Sequence, residues 1–387
     1  MANNLSDEIR VAVIGAGLAG ASCAFGLQQA GAQVTVFEAS AQLGGRMATR
    51  PAQWSDAEGG EHCFTFDHAA QFFTATRPRF RGVMERAVAA GWAAPWQPLV
   101  HSAPWMGSEQ GFVATPGGPA FCNHLLGGAT AHLDRNVRRL QRSAEGAWYV
   151  ACEGAALAGP FEHVVLAVPP AQAAVLLAGH HDDWAAALMA RRMEPCWTLT
   201  AITDDVDWPW DVAVPERGPL ARIVRNDRLP GRTCLPGLAA WTAYAGPEWS
   251  GSRIDVDAQS VIDELQAALR AQLPFAAHEA YPWKFHYASV QRWRHAAPAT
   301  DCDEMFAADD ALWDESLCIG VCGDWLGGAG VEAAWHSGDE LADTMAVAFE
   351  AIAERQSQIT QEFSRTTATW SQVEASGAIG ATENAPH

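Results

Sequence analysis

Six residues near the start of the chain, Gly15-Ala16-Gly17-Leu18-Ala19-Gly20, have the types and spacing of a phosphate cradle. Glycine at the first two positions lets the backbone turn sharply and approach a diphosphate, and glycine at the third lets a helix pack close to a strand. The free N–H groups and positive dipole end of that helix then face the phosphates. Glu38, with Ala39 beside it, closes the next apolar run. A carboxylate at that position can accept both hydroxyls of an adenosine ribose. These residues point to a dinucleotide without choosing which one.

The next motif narrows the choice. Gly44-Gly45-Arg46, followed by Met47, resembles the extended signature of FAD enzymes of the amine-oxidase type. There the glycine pair and the arginine continue around the phosphates, a task suited to the planar donor fork of a guanidinium. A third piece lies far along the chain. Gly320-Val321-Cys322-Gly323-Asp324 places a carboxylate at the end of an apolar run, just before a glycine loop and a helix. Asp324, with Gly323, is expected at a ribityl hydroxyl. The N–H groups near Val331 and Glu332 are expected to face the flavin pyrimidine edge, where negative charge develops on reduction. Val137 is expected against the adenine.

The elements that must position these residues are partly readable. Residues 10–16 form a short run rich in valine and isoleucine, read as a buried strand. Residues 17–30 have helical spacing, Gly31 stops them, and 33–38 make a second strand. Further strands are expected at 131–133, 137–141, 148–152, 163–168 and 317–322. Helices are expected at 171–191, 256–273 and 331–355. Residues 76–130 are mixed, with frequent proline and glycine, and 196–302 hold most of the tryptophans and several antiparallel strands. The composition after Gln356 reads as a disordered tail over 356–387.

The chain has 387 residues, a prior of two or three domains, with 49% hydrophobic and 18% charged residues, as in an ordinary globular enzyme. The formal net charge of −20 repels phosphate backbones and anionic lipid, so nucleic acid and membrane surfaces are poor partners. A local basic patch around a bound anion remains compatible with it. No apolar run is long enough for a membrane-spanning helix, and the polar start lacks the order of a signal peptide. Nine cysteines are scattered without a CxxC pair, which fits reduced thiols and a cytoplasmic location.

Taken together, the chain resembles the renalase-like group of the amine-oxidase superfamily. The strings that carry this are Gly44-Gly45-Arg46-Met47-Ala48-Thr49-Arg50, Phe66-Asp67-His68-Ala69-Ala70-Gln71-Phe72-Phe73-Thr74, Val164-Val165-Leu166-Ala167-Val168-Pro169-Pro170, Arg292-Trp293-Arg294 and Gly323-Asp324-Trp325-Leu326-Gly327-Gly328. The likeness covers about residues 10–345. Three positions depart from the pattern: Ala69 replaces a usual glycine, Gly330 a frequent arginine, and His295 a common tyrosine.

The resemblance implies an α/β fold of the p-hydroxybenzoate-hydroxylase-like kind. A Rossmann-like FAD-binding domain, discontinuous over 9–76, 120–170 and 306–355, would join an antiparallel-sheet substrate domain over 77–119 and 171–305. It implies non-covalent FAD, a hydride taken onto flavin N5, and electrons passed to O2 to give H2O2. The implied substrate is a small molecule, a dihydro isomer of NAD(P). The alternatives are an amine or desaturation substrate, or a flavin-binding redox module without turnover.

Hydride transfer to flavin needs little acid–base machinery, so pocket residues matter mainly as walls and anchors. Ala70, Gln71 and Phe72 are expected beside the isoalloxazine. Trp293 and Arg294 are candidates for the substrate side, Arg294 to meet a phosphate. His336 could face the pocket from the last helix. Lys284, the sole lysine, is the one candidate for the amine-oxidase lysine that holds a water at N5. The spacing of His62, Cys63 and His68 fits no metal site, and His180-His181-Asp182-Asp183 reads as a solvated turn.

Overall fold

The structure, a computed structural model, describes residues 9–55, 59–101, 111–272, 283–299 and 310–351, together with 354 and 358. The chain divides into two compact units, residues 1–342 and 343–387. The tail expected at 356–387 lies, apart from 358, outside the described residues.

The first apolar run is the strand Arg10–Ile14, buried along nearly its whole length. It pairs in parallel with Gln33–Phe37 on one side and His163–Leu166 on the other. His163–Leu166 pairs in turn with Ile319–Cys322. A six-stranded sheet results, in the order Ala311–Asp314, Ile319–Cys322, His163–Leu166, Arg10–Ile14, Gln33–Phe37, Thr130–His132. Only Ala311–Asp314 runs antiparallel to its neighbour. Three stretches far apart in sequence therefore end their strands along one edge, the edge where doubly wound folds bind ligands.

Helix Leu18–Gln29 packs against the helix that begins at residue 331, and small residues set the distance. A Cβ on Gly338 would stand 2.1 Å from the Ala19 carbonyl oxygen and 2.9 Å from the Cys23 nitrogen. Ser22 Oγ donates to the Trp335 carbonyl at 2.9 Å across the same contact. Gly338→Ala is expected to cost about 2–3 kcal/mol, because backbone cannot yield as a side chain tip can. Urea unfolding of the variant measures it.

The second large sheet is antiparallel in its main part. Its order is Phe285–Pro298, Met193–Asp204, Leu238–Ala245, Leu220–Arg225, Val212–Ala213, Val100–His101. One face carries Trp197, Leu199, Ala201, Ile223, Trp241 and Ala243. Helix Ala258–Arg270 covers that face with Val261, Leu265 and Leu269, spaced four apart on one stripe. The other face is left for the site.

Several sequence expectations shift. The helix expected at 171–191 is two, Pro170–Leu177 and Asp182–Ala190, broken where Gly179 takes φ +77°. His181 caps the second helix, its Nδ1 accepting from Trp184 N–H at 3.4 Å. The helix expected at 256–273 is shorter, Ala258–Arg270, because the Asp257 side chain caps it through Ser260 N–H. Regular structure also appears before and within the mixed region 76–130. Thr49–Ser55 and Glu61–Asp67 pair antiparallel, and helices run over Pro78–Ala89 and Gly118–Leu126.

Two buried histidines give the fold an acid limit. Burial holds His163 and His68 at about 4, the latter helped by the Arg50 cation, against an ordinary 6.5. Unfolded, each takes its proton near 6.5, so the unfolded state binds more protons between these values. Stability is complete above 6.5 and falls as the pH drops toward 4. Melting temperatures from pH 8 to 4 should show this decline, and a His68→Gln/His163→Gln variant should flatten it. An equally steep decline in that variant would assign the effect to other groups.

Candidate dinucleotide and substrate site

The backbone shapes the phosphate end. Gly15 has φ +105°, and a Cβ there would lie 2.4 Å from the Ala167 carbonyl oxygen. A Cβ on Gly20 would lie 2.0 Å from the Gly15 oxygen. These two glycines serve the fold. Gly17 is different: its φ is an ordinary −71°, it caps helix Leu18–Gln29, and a Cβ there would meet nothing within 4 Å. The space before it is open and faces the cavity.

Gly44 and Gly45, at φ +103° and +51°, turn directly over this point. Gly44 N–H donates to the Ala16 carbonyl at 2.9 Å. Ala16 N–H donates to Glu38 Oε2 at 2.8 Å, and Glu38 Oε1 accepts from Ser40 N–H at 2.9 Å. The Arg46 carbonyl accepts from Ala70 N–H at 2.9 Å, fastening the 68–70 loop to the glycine pair.

A cavity of about 1400 Å³ opens at this edge of the parallel sheet. Ordinary small-molecule sites occupy about 300–1,000 Å³, so a second molecule fits beside a first. Gly15, Gly17, Leu18 and Ala19 line it, with Glu38 and Ala39 at the next strand end. Gly44, Gly45, Arg46 and Met47 form another wall, and Ala70, Val137, Gly323, Asp324 and Val331 line it too. Trp293 and Arg294 line it from the antiparallel sheet.

Other expected residues sit elsewhere. Ala16 and Gly20 lie behind the turn. The wall beside Ala70 is Ala69, while Phe72 is buried against Trp96, their rings 5.0 Å apart. Gln71 is 3% exposed and does not reach the cavity either. The Glu332 carboxylate holds Thr76 and Arg77 N–H at 2.8 and 2.7 Å, just ahead of helix Pro78–Ala89. His336 lies away from Val331 and Ala334, among Arg77, Glu332, Asp310 and Arg79. Lys284 is exposed, its backbone tied to Asp204. Ten extended residues separate it from Arg294, on the order of 30 Å. The lysine device expected of an amine oxidase is therefore absent from this cavity.

Arg46 is also not free. It makes a two-pronged pair with Asp324, at 2.8 and 2.5 Å, and donates to the Ala296 carbonyl at 3.1 Å. Two residues expected to hold different parts of one ligand hold each other, and both remain on the cavity wall.

Sequence reading missed the floor of the cavity. Gln291, Thr198, Tyr244 and Arg222 stand side by side across four neighbouring strands, and all four line the cavity. The Tyr244 hydroxyl donates to the Ala69 carbonyl at 2.5 Å, and burial pushes its phenol well above the usual range. The Arg222 guanidinium lies 4.5 Å from the Tyr244 ring centroid. His295 is held below its ordinary value by burial and by the Arg46 and Arg294 cations. Trp293 Nε1 is buried and has no hydrogen-bond partner.

Residues 13–87 match the family described as NAD(P)-binding Rossmann-like domain. A cyclohexylamine oxidase from Brevibacterium oxydans IH-35A superposes over 89% of this chain and 100% of its own, with TM-score 0.64 and 15% identity. A redesigned putrescine oxidase superposes over 88% and 99%, with TM-score 0.63 and 12% identity. The chain shares the fold of these amine oxidases. In sequence, a "Probable zeta-carotene desaturase" of Synechococcus elongatus is 39% identical over 69 residues. That match spans 16% of this chain and 14% of the relative. The protein thus has an α/β fold with a Rossmann-type dinucleotide-binding domain. Among the described residues, no helix is long and apolar enough to cross a membrane.

Proposed function

We propose that the chain is an FAD-dependent oxidoreductase that takes a hydride from a small substrate. The observation that carries this reading is one cavity running from the Gly17 turn to the polar row of the antiparallel sheet. The residues fit the cofactor: open space before Gly17, a helix start for the phosphates, and Glu38 at the neighbouring strand end. FAD, when bound, supplies the hydride-accepting chemistry.

The chain's own residues do the rest. Gly17, Gly44 and Gly45 allow close approach of backbone to the diphosphate. Glu38 is positioned for a ribose, and Asp324 for a hydroxyl of the linking chain. Ala69 and Ala70 keep one wall thin, held by the Tyr244 and Arg46 hydrogen bonds. Trp293 and the apolar walls exclude water, which strengthens every charge interaction inside.

Within this class the renalase-like reading, oxidation of a dihydro-NAD(P) isomer with O2 as acceptor, rests on the sequence resemblance. The amine reading draws on the names of the fold neighbours, and Lys284 gives it no support. Purified protein is expected to be yellow. Anaerobic mixing with a panel of dihydronicotinamide isomers and amines should bleach it with a nicotinamide isomer, and air should restore the colour with release of H2O2. Bleaching by amines alone would overturn the renalase-like reading. A full panel without bleaching would overturn the oxidoreductase.

A further inference from the structure

The cavity reverses the charge of the protein. The chain carries −20, yet seven arginines line the cavity against three carboxylates. Four of those arginines, at 46, 50, 135 and 138, belong to the dinucleotide half. Two of the three on the antiparallel sheet are occupied. Arg294 pairs with Asp255 at 3.0 Å, and Arg292 donates to the Ile254 carbonyl at 2.8 Å.

Arg222 is the exception. It has no carboxylate partner among the described residues, and its buried Nε has no hydrogen-bond partner. Its guanidinium rests on the Tyr244 ring at 4.5 Å and the Phe72 ring at 5.6 Å. Two aromatic rings fix its plane. The neighbouring wall, Cys196, Thr198, Ala221 and Ala245, is uncharged. Glu194, the acid this sheet contributes to the cavity wall, precedes Thr198 by four extended residues, roughly 13 Å. A smaller adjoining cavity of about 320 Å³ shares Ala221, Arg222 and Tyr244, so Arg222 borders open space on two sides.

We infer that the substrate is an anion whose carboxylate or phosphate seats on Arg222, and that cationic amines are not substrates. The inference rests on the functional reading above for the site and goes beyond it in naming the group recognised. A cation without a carboxylate partner, on an otherwise uncharged wall, calls for a ligand that brings negative charge. An ammonium group would face the surplus arginines. The geometry therefore separates this chain from the amine oxidases whose fold it shares.

The test titrates the purified protein with benzoate, phenyl phosphate and benzylamine, following flavin absorbance and, separately, melting temperature. One or both anions should perturb the spectrum and raise the melting temperature, and benzylamine should do neither. The stronger anion tells carboxylate from phosphate. Arg222→Gln should weaken anion binding about tenfold or more, and Arg222→Lys should retain part of it, with FAD content unchanged in both. Equal anion affinity in Arg222→Gln, or tightest binding by benzylamine, overturns the inference. If the protein retains no FAD, the functional reading fails alone, and the melting-temperature arm still decides the role of Arg222.

Discussion

Gly17→Asp will abolish retention of FAD while leaving the polypeptide as stable as before, or slightly more so. Gly17 is the N-cap of helix Leu18–Gln29, with backbone angles any residue adopts. Aspartate is among the best N-cap residues, and its charge complements the helix dipole, so the apo fold gains or holds. A Cβ at this position meets nothing within 4 Å, so no clash arises in the protein alone. The same carboxylate would enter the space assigned to a diphosphate and repel it. A loss of about 100-fold in affinity, near 2.7 kcal/mol, is the minimum expected. Gly15→Ala and Gly20→Ala serve as contrasts, since their methyl groups strike backbone and should lower stability outright. The comparison needs the absorbance of the purified variants and urea unfolding after cofactor removal. A yellow Gly17→Asp protein would mean that no dinucleotide occupies this turn.

The parts of this site that were legible in sequence are those governed by local rules. The strands Arg10–Ile14, His163–Leu166 and Ile319–Cys322 announce themselves because both faces are buried, so nearly every position is apolar. The glycines at 15, 17 and 20 are readable because only glycine serves a sharp turn, a close approach and a tight packing contact in that order. Their meeting with Gly44, Gly45 and Asp324 follows from strands that end along one edge.

What stayed hidden depends on neighbours in space. Nothing in the segment around Arg222 marks it, since its interest lies in lacking a carboxylate partner, a property of the assembled sheet. Its strand also hides the usual alternation, because the register with Leu238–Ala245 slips between Leu220 and Arg222. Lys284 shows the opposite error. Its ten-residue spacing from Arg294 suggests proximity on paper, but an extended strand turns that spacing into distance. Phe72 stands two positions past the cavity residue Ala70 and Glu332 one past Val331, yet packing against Trp96 recruits the first and hydrogen bonds to Thr76 and Arg77 the second.

The Arg46–Asp324 pair yields the other large prediction, and its asymmetry is the point. Asp324 is buried, its side chain 4% exposed, whereas the Arg46 side chain is 30% exposed. Arg46→Met removes the cation and leaves a buried carboxylate whose remaining contact among the described residues is one of 3.4 Å from Gly330 N–H. Breaking a buried pair from one side costs about 3–5 kcal/mol, and the partial exposure of Arg46 favours the lower figure. Asp324→Asn leaves a guanidinium that can turn to water and keeps its bond to the Ala296 carbonyl, so about 1 kcal/mol is expected. The double variant should resemble Asp324→Asn alone, a non-additivity of about 2 kcal/mol or more by urea unfolding of cofactor-free protein. Additive losses would mean that the two residues act independently. FAD retention in the same series then separates their roles. If Arg46 serves only to hold Asp324, the double variant should bind cofactor no worse than Asp324→Asn. If it also grips the diphosphate, as its place beside Gly44 and Gly45 suggests, the double variant will be the weaker by a further charge-assisted hydrogen bond.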